Sequence, residues 1–167
     1  GDAAWLPRPI DAGGIGPGIF ASVIAGKTIA TALQAEDYSQ SSLWNYNTEY
    51  VRNYGYQMAS FEILRRFLQM VLNEKISYGM KNFLSVDDVE KITSREHPSF
   101  NKVNMLNPLM LIKISTHWSL AKELRYTAKK SRELAEHNQN YPDSPKGFPE
   151  WKNKLHLLLK EAYSRFS

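Results

Sequence analysis

Apolar residues recur at helical spacing along most of this sequence, and glycine, proline or short polar clusters mark the breaks between runs. A loop over residues 1–16, punctuated by Pro7, Pro9, Gly13, Gly14 and Gly16, gives way to an apolar run that Pro17 opens as a favoured first helical residue. The pattern predicts a helix from there to about Ala35. Gly18, Ser22, Gly26 and Ala30 place a small residue at every fourth position, while Ile19, Phe20, Val23, Ile24, Ile29 and Leu33 cover much of the remainder. Such a helix is expected to be mostly buried, its small stripe admitting another backbone or a sheet.

After the polar break Glu36 to Ser42, Tyr46, Tyr50, Tyr54, Met58, Phe61, Leu64, Leu68 and Leu72 follow at spacings of three or four. They predict one long helix from about Ser41 to Leu72, bent near Gly55. Ser85-Val86-Asp87-Asp88 offers a cap and an acidic first turn for a short helix to about Thr93, and His97 to Leu106 reads as irregular. A long helix is expected from Pro108 to about His137, then a turn-rich linker from Asn138 to Gly147. Pro149 and Trp151 open a last amphipathic helix through Leu155, Leu158, Leu159, Ala162 and Phe166. No internal repeat or low-complexity tract is visible, and the fold class is mainly α.

The 167 residues, 43% of them hydrophobic and 23% charged, are ordinary globular composition and do not point to disorder. The net charge of +4 suits an anionic ligand or lipid surface without requiring one. With no cysteine there is no disulfide, thiolate nucleophile or cysteine-bound metal. His97, His117, His137 and His156 lack any paired metal-ligand spacing, so no metal site is expected. Asp87, Asp88 and Glu90 suit a helix start better than a catalytic cluster. Lys122, Arg125, Lys129, Lys130 and Arg132 are interspersed with Glu123, Glu133 and Glu136, a mixture expected on a solvated helix face, with headgroup or phosphate contact as the functional alternative. Aromatics do not alternate with these bases as in known nucleic-acid modules, and no nucleic-acid partner is expected. Ser22, Lys27, Thr28 and Thr31 interrupt the first apolar run, and no basic stretch precedes it, which argues against a signal or spanning segment.

Asp11-Ala12-Gly13-Gly14-Ile15-Gly16 invites comparison with a dinucleotide fingerprint, but Asp11 stands where its first glycine belongs. The preceding Trp5-Leu6-Pro7-Arg8-Pro9 is also too proline-rich for a buried strand. Read as one unit, Gly1-Asp2-Ala3-Ala4, a short loop with Pro9, and Gly13-Gly14-Ile15 opening an apolar helix resemble another motif. It is the GD motif and following helix of the flavoprotein family that includes p-hydroxybenzoate hydroxylase and, more closely, the geranylgeranyl reductases. Arg8 replaces that group's usual Asn, and Ala12 the first glycine of its triplet. Tyr46, Tyr50, Gly55 and the stretch Arg65-Arg66-Phe67-Leu68 also resemble the group's second helix, and beyond about residue 75 nothing specific is recognised.

The resemblance implies that residues 1–36 are the end of an FAD-binding α/β (Rossmann-like) domain, and 37–167 a helical C-terminal domain. It implies FAD as cofactor, with Asp2 accepting a hydrogen bond from a ribityl hydroxyl. Pro9, Gly13, Gly14 and Ile15 would form the rest of the local site, the helix start facing the flavin edge where negative charge collects on reduction. The activity implied is reduction of isolated C=C bonds in prenyl lipids or prenyl diphosphates, by a cytoplasmic enzyme in peripheral contact with the membrane. Partners would be the prenyl substrate, the upstream half of the FAD domain and a reduced electron donor that the residues do not identify. No catalytic residue is singled out, and the chain alone is expected to be inactive and to self-associate through bare apolar surface. Trp44, Tyr54, Met58, Phe61, Phe67 and Met70 are candidates for lining a prenyl groove or, more simply, for helix packing. A related flavin monooxygenase and a non-enzymatic helical interaction module are the alternatives.

Overall fold

The computed structural model describes residues 6–83 and 118–165, and all their regular structure is helical. Among these residues there is no strand, so the sheet of an FAD-binding domain is not part of what they form. The predicted short helix from Ser85, the irregular stretch from His97 and the helix start at Pro108 lie outside the described residues, as do His97, His117, Asp87, Asp88 and Glu90.

Helix α1 spans Ile15–Ala35, within two residues of its predicted limits. It stops at Glu36, which turns left-handed (φ 51°), and the N–H groups of Glu36 and Asp37 close the end on the carbonyls of Leu33 and Ala32. Ser39 then caps α2 (Gln40–Tyr50) by accepting a hydrogen bond from the Ser42 N–H at 3.2 Å. The expected continuous second helix is interrupted. A π-helical turn at Val51–Gly55 separates α2 from α3 (Tyr56–Met70), so the bend expected near Gly55 is one widened turn of backbone. Val71 is extended, and a further helix, α4 (Asn73–Phe83), follows where none was expected. Helix α5 covers Trp118–Gln139, and a short 3-10 turn at Pro145–Gly147 leads into α6 (Phe148–Tyr163).

Helices α3, α5 and α6 share the main core. Ile63, fully buried, meets Phe67, Leu120, Leu134 and Ala162 there. Ser60 lets α3 and α5 approach, its carbonyl accepting from the Ser131 hydroxyl at 3.1 Å. Lys130 is buried between Glu133 and Glu161, at 2.7 Å from each, and so ties α5 to α6. At the far end of the same pair, His137 stacks on Trp151 with ring centroids 5.0 Å apart. The Trp151 indole donates to the His137 carbonyl at 3.0 Å, and His137 Nε2 lies 2.9 Å from the Trp151 carbonyl.

One face of α2, continued by the π-turn, grips the linker between α5 and α6. Trp44, Thr48 and Arg52 follow at intervals of four. The Trp44 indole and Thr48 hydroxyl donate to the Pro142 carbonyl at 2.9 and 3.1 Å, and Arg52 donates to the Tyr141 carbonyl and pairs with Asp143 at 2.7 Å. Trp44 also stacks on Tyr141, centroids 5.7 Å apart. This grip fastens α1 and α2 to the three-helix core.

The expectation that α1 is mostly buried does not hold. Its inner face, Pro17, Ala21, Ile24, Thr28 and Ala32, is buried, and the helix packs on α2. Opposite, Ile15, Ile19, Val23, Ile29 and Leu33 are 52–83% exposed, and no atom lies within 4 Å of where a side chain would begin at Gly18 or Gly26. Among the described residues α1 is the one helix long and apolar enough to cross a membrane by length and composition, with a mean hydropathy of 1.3.

Candidate functional site

The loop before α1 is closed by its own residues. The Ala12 N–H donates to the Arg8 carbonyl at 2.9 Å, and the Arg8 N–H to the Gly13 carbonyl at 3.2 Å. The Arg8 guanidinium clasps the Asp11 carboxylate, its Nε donating to Oδ1 at 3.1 Å, and that oxygen also accepts the Gly13 N–H at 3.0 Å in an Asx turn. Asp11, the residue that spoils the dinucleotide fingerprint, is therefore held within the loop by a cation and a backbone donor.

Gly13 lies under this clasp, and a β-carbon there would come within 3.1 Å of both Arg8 Nη2 and Asp11 Oδ1. Ala12, standing where the flavoprotein group has glycine, adopts a left-handed backbone with φ 56°. The path glycine would favour is thus kept by alanine, at a cost of about 1 kcal/mol.

Gly14 caps α1 with no side-chain acceptor, its carbonyl taking the Gly18 N–H at 2.9 Å. No acidic residue lies in the first turn, and Pro17 has no N–H. The N–H groups of Ile15 and Gly16 remain for a partner outside the helix. Ile15, 83% exposed, leaves the approach to this end open, and Pro9 sits in the turn of the loop.

The loop rests on aromatic side chains of the second motif-bearing stretch. Ile10 and Phe20 pack against Tyr54, Met58 and Phe61, and Phe20 lies 5.3 Å from the Tyr54 ring. Tyr46, Tyr50 and Tyr54 form a ladder with successive centroids 6.2 and 5.8 Å apart. The π-turn supplies the last rung by carrying Tyr54 inward. Burial first, and then the phenols of Tyr54 and Tyr46, push Tyr50 up to about 12, so its phenol stays uncharged near neutral pH. The Tyr50 hydroxyl is buried without a hydrogen-bond partner among the described residues.

Of the expected site residues, Pro9, Gly13, Gly14 and Ile15 come together on this loop and helix start, while Asp2 lies outside the described residues. Gly55 is not forced by sterics, since a β-carbon would meet only ordinary contacts at 3.6 Å. Arg65 and Arg66 bind Glu62 on their own helix, and Arg66, itself exposed, lies 4.9 Å over the Tyr163 ring, so both are engaged by the protein's own side chains. The candidate groove residues do not share one lining. Tyr54, Met58 and Phe61 form one cluster, Phe67 belongs to the three-helix core, Trp44 to the linker grip, and Met70 is 53% exposed. The ladder's contact with the loop was not expected from spacing alone.

No family model matches the chain. Over 161 residues it is 30% identical to the digeranylgeranylglycerophospholipid reductase of Sulfolobus acidocaldarius, an alignment covering 96% of this chain and 35% of that protein. The chain thus spans about a third of the length of the curated relative it matches. The likeness carried by the opening loop and the tyrosine helix extends along nearly the whole sequence: the chain is geranylgeranyl reductase-like, of the archaeal lipid-reductase kind.

Proposed function

We propose that this chain forms part of an FAD-dependent reductase that saturates C=C bonds in the geranylgeranyl chains of membrane lipids. The observation that carries the reading is the meeting of the two resembling stretches: Ile10 of the loop and Phe20 of α1 pack against the cluster of Tyr54, Met58 and Phe61. Both stretches resemble the same family, and here they share one apolar cluster.

The residues suit the cofactor. The start of α1 has no side-chain cap and no acid in its first turn, so it favours an electron-rich edge, and the only carboxylate of the loop beyond Leu6, Asp11, is neutralised by Arg8. Gly13 and Gly14 present backbone without side chains. Asp2, by the resemblance, would take a ribityl hydroxyl. The flavin, when bound, supplies the hydride. The chain's own contribution is to orient the ring edge with the N–H groups of Ile15 and Gly16, and to keep the loop rigid through the Arg8–Asp11 clasp. The same dipole favours the reduced, more negative form.

The test is the visible spectrum of the longest natural protein containing this chain, with Asp2→Ala beside it. Flavin bands that bleach with reductant and recover on adding a geranylgeranyl lipid are expected, together with loss of retained flavin in a folded Asp2→Ala variant. A colourless protein that takes up no flavin overturns the reading.

A further inference from the structure

In sequence the acids and bases of α5 are intermixed; on the helix four of the bases gather on one exposed face, which carries one acid, Glu136. Glu123 turns to Arg165 of the α6 end at 2.8 Å, and Glu133 holds the buried Lys130 at 2.7 Å, while the third acid, Glu136, is exposed one turn beyond Arg132. Lys122, Arg125, Lys129 and Arg132 are all exposed. At 100° per residue they fall within roughly an 80° arc and extend over roughly 15 Å of the helix. Their engagement with the protein is slight. Among the described residues Lys129 has one loose pairing, to Glu133 at 3.6 Å, whereas Lys130, Arg165, Arg65 and Arg52 each hold a carboxylate within 2.8 Å. Trp118, 67% exposed, stands at the N-terminal end of the same stripe. Cations on one face with an indole at its end suit the boundary between headgroups and acyl chains.

We propose that the Lys122, Arg125, Lys129 and Arg132 face of α5 is a docking surface for a bilayer carrying anionic glycerophospholipid headgroups. This rests on the reductase reading for its occupant: a substrate whose prenyl chains lie in a bilayer and whose phosphates lie at its surface is presented there. Its charge is complementary to the stripe.

The experiment is co-sedimentation of the whole natural protein with phosphatidylcholine vesicles, with and without added phosphatidylglycerol. Two variants are compared, Lys122→Gln/Arg125→Gln/Lys129→Gln/Arg132→Gln and the control Lys146→Gln/Lys152→Gln/Lys154→Gln/Lys160→Gln. Both remove the same four charges, and all eight positions are exposed, so folding is little affected. A basic residue at an anionic surface is worth about fivefold in partitioning, so the stripe variant is expected to bind on the order of a hundredfold or more weakly. The control is expected to stay close to the parent, and parent binding to fall as salt rises. Equal weakening of both variants would reduce the effect to net charge and overturn the proposal. So would parent binding that ignores phosphatidylglycerol. Flavin content and turnover of detergent-dispersed lipid, measured on the same samples, report on the reductase reading independently of vesicle binding.

Discussion

The grip of α2 on the α5–α6 linker turns on one carbonyl oxygen with two donors, and that arrangement predicts a specific failure of additivity. Pro142 O accepts from the Trp44 indole at 2.9 Å and from the Thr48 hydroxyl at 3.1 Å. Thr48→Val removes one donor with little change of shape and leaves the other, so it should cost about 0.5–1 kcal/mol. Trp44→Phe keeps a ring against Tyr141 and Phe148 but loses the indole N–H and some volume. Its cost should be about 1–3 kcal/mol, with Thr48 still satisfying the carbonyl. The double variant leaves a partly buried acceptor with no protein donor and should exceed the sum of the singles by about 1 kcal/mol. Urea unfolding of all four proteins measures the cycle, an unchanged slope confirming that only stability has moved. Additivity within about 0.5 kcal/mol would refute the shared-acceptor argument and with it the role assigned to this grip.

Acid should loosen the α5–α6 end. Burial is the main influence holding His137 below the ordinary imidazole value of 6.5, outweighing the hydrogen bond to the Trp151 carbonyl, which favours the charged form. The unfolded chain therefore takes up this proton before the folded one does. The stabilising contribution is complete above pH 6.5 and falls away as pH drops from there through the folded value. Denaturation midpoints of wild type and His137→Gln across that window check it, a parallel pH dependence in both counting against the assignment. The 167-residue chain by itself should self-associate through the outer face of α1, and a monodisperse monomer in sedimentation velocity would contradict that.

How far the sequence revealed this fold depended on how one-sided each pattern was. The helix limits at Ala35 and Phe148 were legible because polar or proline-containing breaks adjoin apolar runs. Helix α4 was not, since its described apolar residues are sparse and Gly79 argues against helix. Tertiary packing decides the matter: Tyr78 packs against the main core, and Gly79 faces Leu120 at a distance where a β-carbon would make only ordinary contact. The π-turn was legible as a bend at Gly55 but not as an extra residue per turn. In α1, apolar residues on nearly every side left no period to say which face packs, and the expectation of burial failed for that reason. At the candidate site, glycine and proline spacing located the loop, but nothing local could announce that Arg8 and Asp11 clasp or that Ala12 takes a left-handed backbone.

Helix α1 joins these observations physically. Its buried face is mostly small, Ala21, Thr28 and Ala32 with Ile24, while the larger Ile15, Ile19, Val23, Ile29 and Leu33 face outward. A helix whose only task was to cover α2 would gain more by the reverse arrangement, because burial of a large aliphatic side chain contributes about 1.5–3 kcal/mol and alanine much less. The small inner face instead brings α1 close to α2, and that closeness seats Phe20 and Ile10 on the tyrosine ladder and fixes the loop that opens the helix. The outer face then carries most of the helix's apolar surface, beginning at Ile15 beside the N–H groups assigned to the flavin edge. Covering that face and filling the site at its N-terminal end would therefore stabilise the same helix, so cofactor retention and the packing of α1 should rise and fall together.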